Sequence, residues 1–226
     1  MRARALERIV ALDKFEFQCK HDPCKHKGPA SLLTGHESSC PHRIVPCPIL
    51  SCKELMKAKD VLSHVKSKKK KHINTKLTAK FTSGTVLADW QFSDNAAEAT
   101  WVTGVYCADE KLFRKTFFVC MKKCRDTGLY HTWIKVNDHK HFADRCHVKI
   151  IIKGGSEDED EANTVKTVFK TKAISIDEKE DELTKNIPGF NENHIKAMLS
   201  AKKERDQQGQ EIARVLKAAY IIEWVG

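Results

Sequence analysis

After residue 72 the apolar positions of the chain recur every second residue, the period of a strand with one buried face. RCHVKIIIK puts Cys146, Val148, Ile150 and Ile152 on one side and His147, Lys149 and Lys153 on the other. TVLADWQF, TWVTGVYCA, KLFRKTFFVCMKK, LYHTWIKVN, TVKTVFKTKAISI and AAYIIEWVG are likewise rich in β-branched and aromatic residues. Turn-forming segments (SDNAAE, RDTG, VNDHKH, KGGSEDEDEAN) separate several of them. Roughly eight strands with hairpin-like connections predict an antiparallel β-sandwich over 73–226. One interruption is helical: NENHIKAMLSAKKERDQQGQEIARVLKA, 191–218, is polar with a sparse apolar stripe, and Asn191 or Asn193 can cap it. At the other end, Leu6, Ile9, Val10 and Leu12 fall at helical spacing and predict a short helix over 1–14.

No apolar run approaches the roughly 20 residues that cross a bilayer, and the start lacks the continuous apolar stretch of a secretory signal. The nine cysteines are therefore expected in a reducing compartment, cytosolic or nuclear, where thiols serve as metal ligands more often than as disulfides. Membranes are not among the expected partners. Charge divides the chain at the same place as periodicity does. Residues 1–72 carry 16 Lys/Arg against 7 Asp/Glu, and residues 73–226 carry 24 against 23. Five of the nine cysteines fall between Cys19 and Cys52. A small, basic, Cys/His-rich part thus precedes a larger, charge-balanced one.

Within the small part, Cys19, Cys24 and His36 are each followed 28 residues later by Cys47, Cys52 and His64, so C-x4-C-x11-H occurs twice. Two thiolates on a short knuckle and a histidine brought back by a later helix suit a tetrahedral zinc site. The first copy ends with Cys40, four residues beyond His36 and on the same helix face. Four protein ligands leave no open position for water or substrate, which marks a structural site, and in so short a segment the metal supplies much of the folding free energy. His21, His26 and His42 lie outside the repeat and read as surface residues.

The second copy has Lys68 where the first has Cys40, and an ammonium offers a metal no lone pair. His72 is the nearest usable ligand in HVKSKKKKH. On a continuous helix it would stand about 12 Å and about 80° from His64. It can close the site only if the helix ends soon after His64, which four consecutive lysines favour. The expected sites are Cys19, Cys24, His36 and Cys40 for one zinc ion, and Cys47, Cys52, His64 and His72 for a second. A third site at Cys120 and Cys124 is not expected, because the spacing is irregular and Cys120 sits in a strand. The acidic run SEDEDE, 156–161, reads as a solvated loop.

Catalytic motifs are missing from the sequence: there is no G-x-S-x-G, no phosphate-cradling glycine loop and no H-E-x-x-H. Taken together, the short helix RALERIV, the C-x4-C-x11-H-x3-C unit, its C-x4-C-x11-H copy and the following sandwich, with Phe117–Phe118 and FADR at 142–145, resemble the seven-in-absentia family of ubiquitin ligases. That resemblance implies tandem zinc fingers at 15–72 and a TRAF-like sandwich at 73–226, together forming a dimeric part that binds target proteins. It also implies that the ubiquitin-conjugating machinery is engaged through a RING. No RING-type cluster precedes Cys19 here, so ligase activity is expected only if a RING is supplied. The helix-like stretch 191–218 and the run 156–161 read as insertions relative to the family sandwich, and the first knuckle is shorter than the family's. The competing reading is a basic zinc-finger protein that binds nucleic acid through residues 1–72. The spacing lacks the H-x3–5-H ending of DNA-reading fingers, which disfavours it.

Overall fold

The computed structural model describes residues 15–49, 52–67, 77–82, 84–92, 100–107, 112, 114–124, 127–153, 166–178, 187, 189–191, 193 and 214–225. Two small units come first. Strand β1 (Glu16–Gln18) pairs with β2 (Lys27–Pro29), and helix α1 (Ala30–Ser39) follows. Strand β3 (Ile44–Pro46) pairs with β4 (Leu55–Lys57), followed by a 3-10 turn (Ala58–Asp60) and helix α2 (Val61–Lys66). Each strand of the second unit begins 28 residues after its counterpart in the first, so the repeat seen in ligand spacing is a repeat of whole ββα units.

Ten further strands follow among the described residues: β5 (Leu77–Thr82), β6 (Thr85–Phe92), β7 (Thr100–Tyr106), β8 (Thr116–Lys123), β9 (Tyr130–Val136), β10 (Cys146–Lys153), β11 (Lys166–Lys172), β12 (Ile174–Ser175), β13 (Gly189–Phe190) and β14 (Arg214–Trp224). A short helix α3 (Lys140–Asp144) sits between β9 and β10, its start capped by His139 Nδ1, which accepts from Phe142 N. Sheet 1 has the order β11-β10-β14-β6-β5 and is antiparallel throughout. Sheet 2 has the order β12-β9-β8-β7; β13 adds antiparallel to β9, and β12 runs parallel to it.

The two sheets pack face to face. Val86, Ala88, Trp90, Val148, Ile150 and Tyr220 from sheet 1 share a core with Val105, Phe117, Val119 and Ile134 from sheet 2. One polar bridge crosses it. Thr132 Oγ1 donates to Cys120 O at 2.9 Å and lies 2.6 Å from Tyr220 Oη, so the phenol is the donor in the second bond. Burial holds that phenol above its ordinary pKa.

Sheet 2 is also covered on its far side. Val102, Phe118, Cys120, Trp133, Ile174 and Ile176 form a second core with Val45, Ile49, Ala58, Val61 and Val65 of the second ββα unit. Consequently β9 is buried at every position, and so are five consecutive residues of β8. The half-buried alternation expected of these two strands is corrected accordingly. FFVCM is an unbroken apolar run because it has two cores to serve.

Three expectations change or stand outside the described residues. The predicted helix 191–218 is strand over its last five residues, since β14 begins at Arg214. The β-branched and aromatic content of RVLKAAYIIEW outweighs the helical spacing upstream once it is paired on both sides. The rest of that stretch, apart from Asn191 and Asn193, the N-terminal helix 1–14 and the acidic run 156–161 lie outside the described residues. Strand β13 went unread because two residues show no period, and β5 went unread although Leu77, Ala79 and Phe81 alternate with Thr78, Lys80 and Thr82.

Gly104 on β7 marks a close approach of the second unit to sheet 2. A Cβ there would stand 2.7 Å from Leu62 Cδ1 and 3.0 Å from the Phe118 ring. Gly104→Ala is expected to destabilise the chain by about 1–3 kcal/mol through overpacking, read as a lower denaturation midpoint; an unchanged midpoint would mean that Leu62 swings aside freely.

Candidate metal centres

The first unit brings its four predicted ligands together. Ligand atoms of Cys19, Cys24, His36 and Cys40 all lie within 4.8 Å of one another. Cys19 Sγ is 3.8 Å from Cys40 Sγ, and Cys24 Sγ is 3.3 Å from His36 Nε2. A tetrahedral zinc ion with Zn–S near 2.3 Å and Zn–N near 2.0–2.1 Å separates two sulfurs by about 3.8 Å, and a sulfur from a nitrogen by about 3.6 Å. The arrangement fits such an ion.

Backbone hydrogen bonds shape the knuckle: Cys19 N donates to His26 O at 2.9 Å, and Cys24 N donates to His21 O at 2.7 Å. Helix α1 then returns His36 and Cys40 one turn apart. Glu37 ties the helix to the knuckle, accepting from Lys20 N at 3.0 Å and pairing with Lys20 Nζ at 3.0 Å. Its carboxyl is held below the usual range, first by the backbone hydrogen bond from Lys20.

The second unit repeats this chemistry at the same offset. Cys47 N donates to Glu54 O at 3.0 Å and Cys52 N to Ile49 O at 2.9 Å, each 28 residues beyond its counterpart. Cys52 Sγ is 3.4 Å from His64 Nε2, against 3.3 Å in the first unit. Ligand atoms of Cys47, Cys52 and His64 lie within 4.8 Å of one another. Helix α2 ends at Lys66, directly after His64, as closure by a later residue requires. The predicted fourth ligand His72, like Lys68, lies outside the described residues.

Beside each ligand histidine stands a residue to which the sequence assigned no part in the site. The His26 ring stacks on His36 at 3.8 Å and 15°, although His26 reads as a surface residue by exposure. At the equivalent position, Glu54 places Oε2 3.6 Å from His64 Nδ1, the nitrogen turned away from the thiolates. A carboxylate on that side favours the tautomer that leaves Nε2 free to ligate. Positions 26 and 54 are 28 apart, so the repeat itself carried the signal. Burial, with His26 adding to it, holds the His36 imidazole below its ordinary pKa, which keeps it neutral and ligand-ready.

The surroundings of the two centres differ. The first has a core of its own: its three cysteines and Leu33. In the second, Cys47 and Cys52 belong to the core shared with sheet 2. Arg43, itself buried, joins the two units to the sandwich. Its Nη1 donates to Cys40 O at 3.4 Å and its Nη2 to Asn137 Oδ1 at 3.2 Å, while Asn137 Nδ2 donates to Ala58 O at 2.7 Å. A scan against protein-family models gave no match, and a search of curated proteins gave none.

Cys40→Ala is expected to lower metal content by about one ion per chain while the sandwich melts nearly as before. Cys52→Ala should lower metal content and also cost the sandwich at least about 1 kcal/mol, because its thiol lies in the shared core. Elemental analysis beside a thermal melt checks both; full metal content in the Cys40→Ala chain would remove Cys40 from the ligand set. Burial pushes Cys40 up to about 11 and Cys47 up to about 12, so in the ion-free chain both thiols are protonated at neutral pH. Ion uptake must then release protons, and apparent affinity should rise between about pH 6 and pH 8 in a chelator competition. A flat profile would contradict thiolate ligation.

Proposed function

We propose that the chain is the target-recognition part of a seven-in-absentia-type ubiquitin-protein ligase, in which two structural zinc ions shape tandem modules beside a TRAF-like sandwich. The observation that carries this reading is the burial of helix α2. Val61 and Val65 face the core shared with sheet 2, and Leu62 reaches Gly104 of β7. A finger that reads duplex DNA needs its helix free to enter the major groove. Here the helix is spent on holding the module against a sheet, which favours a scaffold for proteins over a nucleic-acid reader.

The centres themselves have no catalytic part in this reading. Four ligands close the first, and the second is walled by Val45, Ile49, Val61 and Val65. Target proteins engage the sandwich as extended segments, adding to a sheet edge through main-chain hydrogen bonds. The resemblance adds a second copy of the chain as partner and leaves contact with the conjugating enzyme to a RING.

Two assays test it together. Extended peptides selected on the full chain should bind with affinity that survives physiological salt, and duplex DNA should show only weak, salt-labile shifts. With activating and conjugating enzymes, ubiquitin transfer to a selected target should appear only when a RING is fused ahead of the chain. Ubiquitin chains made without that RING, or tight salt-resistant DNA binding with no peptide capture, would overturn the reading.

A further inference from the structure

The two broad faces of the sandwich have different fates. The outer face of sheet 2 is taken by the second ββα unit, whereas the outer face of sheet 1 shares no apolar cluster with another element among the described residues. As far as the described residues show it, that face is basic. Register brings Lys80, Lys149, Lys153, Lys170 and Lys172 to it, and all are exposed except the half-buried Lys149. The acidic side chains described on the same face are Asp89 and Glu223. The near-neutral balance of residues 73–226 therefore conceals a sorting of charge by face.

Like charges stand directly opposite one another there. Lys149 pairs in register with Lys170, and the backbone register also sets Lys166 opposite Lys153. Directly opposed like charges destabilise a sheet. Among the described residues none of the five lysines has an ion-pair partner. Among the described residues no ion pair offsets that repulsion, so an external anion would relieve it. Between the lysine rows runs an apolar one, Val168–Ile151–Ala219–Leu87, crossing four strands. Its ends are open, Val168 at 44% and Leu87 at 52% exposed, while Ile151 between them is only 8% exposed.

The chemistry of the face selects the kind of polyanion. A single strand of nucleic acid wants aromatic platforms, and no described outward position of sheet 1 is Phe, Tyr or Trp, His147 being its one ring; Trp90, Phe169 and Tyr220 all point to the core side. A duplex wants a projecting helix or ribbon, and bidentate phosphate contacts want arginine. An acidic peptide wants a cleft, and a pleated sheet presents parallel rows instead. A lipid bilayer is flat and laterally mobile, takes lysines as point charges against its headgroups and accepts aliphatic side chains at the acyl boundary. Five strands span about 20 Å, enough for all these lysines to reach one headgroup plane. We propose that the outer face of sheet 1 docks on an anionic lipid bilayer, its lysine rows against the headgroups and its Val168–Leu87 row at their inner boundary. The expectation that membranes are not partners rested on the lack of a span, which a peripheral face does not need. Among the described residues no helix is long and apolar enough to cross a membrane.

The test is co-sedimentation of the full chain with vesicles of phosphatidylcholine alone and of phosphatidylcholine mixed with phosphatidylserine, at low and high salt. Binding is expected only to the mixed vesicles and is expected to weaken with salt. At about fivefold per lysine, Lys149→Gln with Lys170→Gln should weaken it about 25-fold. The same double variant should melt no lower than the parent, since it removes a repulsion, and this separates lost docking from lost folding. Changing lysines 68–71 to glutamine should leave vesicle binding within a few-fold. Three results would overturn the proposal: no binding to mixed vesicles at low salt, parental binding by the double variant, or random duplex DNA binding more tightly than vesicles through the same two lysines.

Discussion

Every residue of β9 from Tyr130 to Val136 is buried, and its neighbour β8 is buried over five consecutive positions. A strand in that situation needs apolar partners on both sides. The partner sheet supplies one layer, and a unit too small to fold by itself supplies the other. The dependence is mutual. The second ββα unit gains a hydrophobic surface that its three-residue strands could not enclose, and Phe118 and Trp133 lose contact with water. Some buried polar groups in β9 are answered by distant segments, as where His131 Nδ1 donates to Ile187 O at 3.1 Å, whereas Trp133 Nε1 is buried with no hydrogen-bond partner among the described residues. The metal-ligand cluster at Cys47, Cys52 and His64 thus sits inside the architecture, whereas the first cluster is attached to it through Arg43.

The two clusters show how much shape a short segment obtains from thiolate geometry. Sequence spacing fixes which residues can meet, knuckle hydrogen bonds fix where the two cysteines point, and a helix turn sets the return of the histidine. An identical offset in ligands, strands and backbone hydrogen bonds means that one solution has been used twice. The two copies then diverge in what supports the histidine: a stacked ring at His26, a carboxylate at Glu54.

Legibility in the sequence followed the range of the interactions. Local spacing was enough for seven of the eight predicted ligand positions to meet in space, and alternation marked β6, β7, β10 and β11. What was not legible depends on partners distant in the chain. Nothing in TWVTGVY announces that Gly104 must make room for Leu62, and nothing in RVLKA announces a strand until β6 and β10 flank it. The basic outer face of sheet 1 was hidden for the same reason: Lys149 and Lys170 become neighbours only through a register, and a net-charge count averages them with acidic residues elsewhere in the sequence.

The position of β14 between β6 and β10 sets the order in which the molecule can be completed. Arg214 lies opposite Phe92, about 120 residues earlier, so β6 emerges from the ribosome long before its permanent neighbour exists. Until residue 224 has been made, β5–β6 and β10–β11 are two separate hairpins, each with an inner edge, β6 or β10, that only β14 will pair. Both metal-binding units, by contrast, are finished by residue 67 in everything their described ligands require. During synthesis the chain therefore passes through an interval in which its ion-stabilised units can already be set while half of its main sheet waits for a last strand.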